Sequence, residues 1–112
     1  MINADRSSAG LPRLNWSSCL AGVAAQSARR MANQGFISHA GAVYQDLNCG
    51  LGSRQTGENV GYWSRGVNDS QLNSMFMNSP EHRANIMGPY RWVGTAWVTA
   101  ANGYGYIAVE FG

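Results

Sequence analysis

The last twenty residues limit most strongly what this chain can become. Trp92-Val-Gly-Thr-Ala-Trp-Val-Thr99 and Tyr104-Gly-Tyr-Ile-Ala-Val-Glu-Phe111 are two runs rich in aromatic and β-branched residues. Ala100, Ala101, Asn102 and Gly103 between them suit a tight connection. Two such runs about this turn predict an antiparallel hairpin. Helical patterns precede it, so the chain reads as α+β, with an antiparallel sheet covered by helices.

The clearest helix is expected over residues 16–34. Trp16, Leu20, Val23, Ala24, Ser27 and Met31 fall on one face, and Gln26, Arg29, Arg30 and Asn33 on the other. Asn15 or Ser17 can cap its start, and Gly35 supplies the stop. Residues 2–9 form the end of a helix, stopped by Gly10 and Pro12. Residues 36–56, broken by Gly41, Gly50 and Gly52, read as an irregular loop. Gly57 to Trp63 forms a short strand. Asp69 or Ser70 caps a helix bearing Leu72, Met75 and Phe76, and Ser79-Pro80 opens another that ends at Gly88-Pro89.

With 112 residues and 45% hydrophobic composition the chain makes one domain, 1–112, with a core of its own. A net charge of +2 with 45% apolar residues excludes a disordered chain. All eight cations are arginine and they are scattered, so no basic stripe argues for nucleic acid. No apolar run is long enough for a membrane span. The first residues lack a signal peptide's basic and hydrophobic regions. Two cysteines, Cys19 and Cys49, suggest one disulfide in an exported protein, with two buried free thiols as the alternative. A bond would pin the long loop to the long helix.

Candidates for chemistry are few. His39 follows the long helix in Gly35-Phe36-Ile37-Ser38-His39, and His82 lies in Ser79-Pro80-Glu81-His82-Arg83. Glu58 stands in Gly57-Glu58-Asn59-Val60. Two imidazoles and a carboxylate suffice for one divalent cation or for acid–base work, but their spacing forms no recognised metal motif. Gly-x-Ser-x-Gly and nucleotide-binding glycine patterns are absent, so neither a serine elbow nor a nucleotide or organic cofactor has support. Ser79 reads as a helix cap, and the Met75–Met77 cluster as core.

Asn3-Ala4-Asp5-Arg6, Gly10-Leu11-Pro12-Arg13-Leu14 and Phe36-Ile37-Ser38-His39 resemble the opening of the CAP superfamily of cysteine-rich secretory, antigen 5 and pathogenesis-related class 1 proteins. Gly57-Glu58-Asn59-Val60 is similar to its Gly-Glu-Asn motif. Residues 79–87, then Val93-Gly94 and Phe111-Gly112, resemble its bacterial, SCP-like extracellular branch. The resemblance implies a three-layer α-β-α sandwich with a cleft lined by two histidines and usually two carboxylates. It assigns His39, Glu58 and His82 to that cleft as ligands of a divalent metal, Zn²⁺ or Mg²⁺. The second carboxylate is a departure, since residues 75–79 hold no acid. The reading is a secreted, monomeric, non-enzymatic binding or defence module with an extracellular ligand, whether lipid, peptide or cell-wall component. A metal-dependent hydrolase of peptide or cell-wall material and a lipid or sterol carrier are the alternatives.

Overall fold

The structure, a computed structural model, describes residues 1–52 and 55–112. The part of the expected loop at residues 53 and 54 lies outside the described residues.

Helix α1 (Ile2–Ser8) leads to a two-residue strand β1 (Asn15–Trp16) and then to the long helix α2 (Ser18–Gln34). Ser17 is the N-cap of α2, its hydroxyl accepting from the Leu20 N–H, and Gly35 closes the helix with φ 81°. Leu20, Val23, Ala24, Ser27 and Met31 are buried, as the helical spacing requires. Trp16 is not. The helix starts only at Ser18, and Trp16 sits in the edge strand β1, 56% exposed.

Within the expected loop the chain forms a further helix, α3 (Ala42–Leu47), entered through Gly41 with φ 79°. Strand β2 (Gly57–Trp63) follows, then α4 (Asp69–Met77) and α5 (Pro80–Ile86). The cap of α4 is Asn68, one residue earlier than expected, whose side chain accepts from the Gln71 N–H. Leu72 and Phe76 are buried, but Met75 lies on the outer side of α4 and is 43% exposed. Strands β3 (Trp92–Thr99) and β4 (Gly105–Phe111) are the expected hairpin, Val93 opposite Phe111 and Thr99 opposite Gly105.

The sheet order is β1-β3-β4-β2. β2 and β3 flank β4 antiparallel, but β1 pairs parallel to β3, so the sheet is mixed rather than antiparallel throughout. The short β1 enters in the direction of β3 just before the chain turns into α2. Central strand β4 is buried along its whole length, which explains its nearly continuous apolar run.

Helices cover both faces. Ala24 and Met31 of α2 pack on Val60, Tyr106 and Ala108. A Cβ on Gly94 would fall 2.1 Å from the Ala21 nitrogen, so the helix backbone rests directly on β3 there. On the opposite face Leu72, Phe76, Ile86 and Tyr90 pack on Ile107, Val109 and Phe111. Arg6 joins α1 to this layer: its buried guanidinium donates to the carbonyls of Pro12, Ile86 and Gly88. The result is the expected three-layer sandwich.

Cys19 and Cys49 form a disulfide, with Cα atoms 5.7 Å apart, across 30 residues. It ties the first turns of α2 to the segment just after α3. That tether constrains the loop carrying His39.

Candidate functional site

Edge strand β2 organises the site. Its period of two sends Glu58 to the α2 side of the sheet and Asn59 to the α5 side. His39 approaches Glu58 from the α2–α3 connection. The chain turns sharply after it: Ala40 has φ 47° and Gly41 φ 79°, and the Ala42 N–H donates to the His39 carbonyl. Ala40 is the one non-glycine in the left-handed region among the described residues, a conformation that costs roughly 1–2 kcal/mol.

His39 Nδ1 lies 2.7 Å from Glu58 Oε1. The histidine side chain is 58% exposed and the glutamate side chain fully buried. An ionised carboxylate only accepts, so Nδ1–H donates and Nε2 is the ring nitrogen left for a ligand. A buried carboxylate thus fixes the tautomer of an exposed imidazole.

His82 stands on the other side of β2, in the first turn of α5. The Asn59 side chain donates to the His82 carbonyl at 3.0 Å, and Asn85 donates to Asn59 Oδ1 and to the Glu58 carbonyl. These amides join the helix of one histidine to the strand of the carboxylate. Ser79 occupies the N-cap position of α5 with no side-chain capping bond. Its hydroxyl instead shares a hydrogen bond with His82 Nδ1 at 2.8 Å, and the ring packs against Phe76. Burial lowers the His82 pKa below that of a free imidazole; Glu81 opposes the shift and the nearby His39 adds to it. His82 is therefore neutral near pH 7, within electrostatic reach of His39.

The structure thus joins His39 to Glu58 directly and sets His82 across the strand, linked to them by amides. Among the described residues no three His, Cys, Asp or Glu side chains are grouped so as to hold a metal ion. Glu58 is fully buried with Oε1 engaged by His39, and these three side chains are not grouped as the three-donor metal centre that the resemblance implies.

Two site residues escaped the sequence reading. Asp46 of α3 and Glu110 of β4 are 2% and 0% exposed, and their carboxyls gather with that of Glu58. The available signal was Glu110 itself: an acid inside an apolar central strand has nowhere to go but the interior. Asp46 offered none, because its helix was hidden in a glycine-broken segment.

Solved structures share this fold. The structure resembles an outer surface protein from Borrelia burgdorferi (TM-score 0.83, 18% identity, 99% of this chain and 85% of that one). It also resembles an extracellular SCP-domain protein from Bacillus anthracis (0.81, 21%, 98% of this chain and 37% of that one). A cysteine-rich secretory protein from Staphylococcus aureus gives 0.75 at 25% identity, over 98% of this chain and 35% of that one. The chain therefore spans only about a third of the latter two. No curated protein is matched by sequence. Among the described residues no helix is long and apolar enough to cross a membrane. The profile of the CAP, or cysteine-rich secretory protein, family matches residues 1–111, and the chain belongs to that family.

Proposed function

We propose that this domain is a secreted, non-enzymatic binding module that takes a polar ligand, such as a peptide or cell-wall fragment, at the His39–Glu58–His82 face. The observation that carries this reading is the 2.7 Å contact between the exposed His39 and the buried Glu58. It presents a single oriented ring nitrogen at the surface, while Asn59, Asn85 and Ser79 hold His82 nearby. Such a pair recognises a hydrogen-bonding group without a nucleophile. The Ser38 hydroxyl accepts from Gln34, and the Ser79 hydroxyl is bonded to His82 Nδ1, and among the described residues no carboxylate is hydrogen-bonded to that ring as a triad needs. The extracellular and outer-surface proteins it resembles support an exported setting.

A second reading rests on a different feature. A mostly apolar cavity of about 310 Å³ lies between α1, α4 and the sheet, lined by Ile2, Leu72, Phe76, Val93 and Ile107 among others. That is the lower end of small-molecule sites and suits one acyl chain. It favours lipid carriage, at a place distinct from the histidines.

Nuclear magnetic resonance with soluble peptidoglycan fragments, a short peptide and a fatty acid separates the two. The proposal expects saturable shifts at His39 and His82 with a polar probe, abolished by His39→Ala. Shifts confined to Leu72, Phe76 and Ile107, and only with the fatty acid, would replace it by the carrier.

A further inference from the structure

The chain has six acidic residues, and Asp46, Glu58 and Glu110, half of them, are buried together. Glu58 and Glu110 are directly opposite on adjacent strands, and Asp46 comes down on Glu110 from α3. Like charges in that cross-strand position repel, and burial removes the water that would screen them. Among the described residues no arginine is paired with them, and the ion pair there is His39–Glu58.

Glu58 Oε1 accepts from His39, but Glu58 Oε2 and both carboxyl oxygens of Asp46 and of Glu110 have no N–H or O–H partner. Among the described residues no donor from the other elements bonds to them. Gly94 is the β3 neighbour of Glu110, and Arg30 of α2 turns a terminal guanidinium nitrogen to the Ser38 carbonyl while its Nε bonds to none of these oxygens. Among the described residues the donors in reach of these oxygens are the carboxyls themselves, which meet at Glu110, and two carboxyls in contact share a proton.

We propose that Glu110 is a neutral carboxylic acid that donates to Glu58 Oε2, making it the positioning residue that holds the Glu58 carboxylate against His39. Glu110 is the member in reach of both others, so one proton there relieves both contacts. The cluster then keeps its negative charge on Glu58, the carboxylate that touches an imidazole. Burial and its two acidic neighbours push the Glu110 pKa up to about 12, which agrees. The carboxylate absent from residues 75–79 is thus answered from the neighbouring strand β4, by a donor rather than by a second charge. This inference concerns the cleft's construction and holds whichever ligand the cleft takes.

Infrared difference spectra of wild type, Glu110→Gln and Glu58→Gln test it at pH 9, well above the value of about 7 to which burial raises Asp46. The protonated-carboxyl C=O band should vanish in Glu110→Gln and persist in Glu58→Gln. A band lost in Glu58→Gln alone, or absent from wild type, overturns the assignment. The positioning role is read from the His39 tautomer by nitrogen NMR. Glutamine can still donate to Glu58 and should keep the Nδ1–H form, whereas Glu110→Leu should lower its ratio to the Nε2–H form by about threefold or more. An unchanged ratio in a folded Glu110→Leu protein contradicts the positioning role. If that variant fails to fold, the infrared comparison still decides where the proton is.

Discussion

Asn85 Nδ2 donates to Asn59 Oδ1 at 2.9 Å and also reaches the Glu58 carbonyl at 3.2 Å, so one amide on α5 holds two consecutive residues of β2. Asn59 completes the link by donating to the His82 carbonyl. The Asn of Gly57-Glu58-Asn59 and the Asn of residues 79–87 are therefore two ends of one clasp. It sets the distance between the histidines.

Asn85→Ala breaks two of these bonds and leaves Asn59, which is fully buried, without a donor to its oxygen. The expected cost is about 2–3 kcal/mol of stability by chemical denaturation. The His82 ring resonances should move while those of His39 stay in place.

The Cys19–Cys49 bond closes a separation of 30 residues, for which chain entropy gives roughly 3.5 kcal/mol. The Cys19→Ser/Cys49→Ser protein should melt on the order of 15 °C lower. Because the bond tethers the segment bearing His39, amide exchange should rise most between α2 and β2.

How the residues were readable follows from their surroundings. The hairpin and α2 declared themselves because long periodic segments carry many independent signs of one face. Trp16 fitted the α2 face by spacing, yet it belongs to β1, since a two-residue strand is too short to show a period of two. Helix α3 has six residues between glycines and left no pattern to find. His39, Glu58 and His82 stood out as the few residues able to do chemistry, and motif resemblance put them in one cleft, but it names residues and not the bonds between them. It offered Glu58 as a ligand and gave no sign that the residue accepts from His39 and stands opposite Glu110.

That carboxyl cluster makes stability depend on pH. The Glu110 pKa is pushed up to about 12 and that of Asp46 to about 7, both chiefly by burial. Both exceed the values of the unfolded chain, so between about pH 5 and about pH 7 folding takes up protons at these sites and stability falls as pH rises. His82, lowered by burial, works the other way below the ordinary histidine value, losing stability as pH drops. Glu110→Gln should remove one proton from the balance. The pH slope of unfolding free energy then becomes less negative by about 1.4 kcal/mol per pH unit.

Zinc offers a direct check on the role given to Glu58. Catalytic zinc sites use three protein donors and structural sites four, and His39, Glu58 and His82 are not grouped to supply three. Titration calorimetry should give no saturation at low-micromolar Zn²⁺. Tight binding lost in both His39→Ala and His82→Ala would show that the cleft rearranges around the ion.

The most direct test is turnover. Wild type and Glu58→Gln should be incubated, with and without added Zn²⁺, with peptide, ester and peptidoglycan substrates and followed by mass spectrometry. A binding module yields no product above the protein-free control in either case. Product formed by wild type and abolished in a folded Glu58→Gln protein would contradict the account and make the His39–Glu58 pair catalytic.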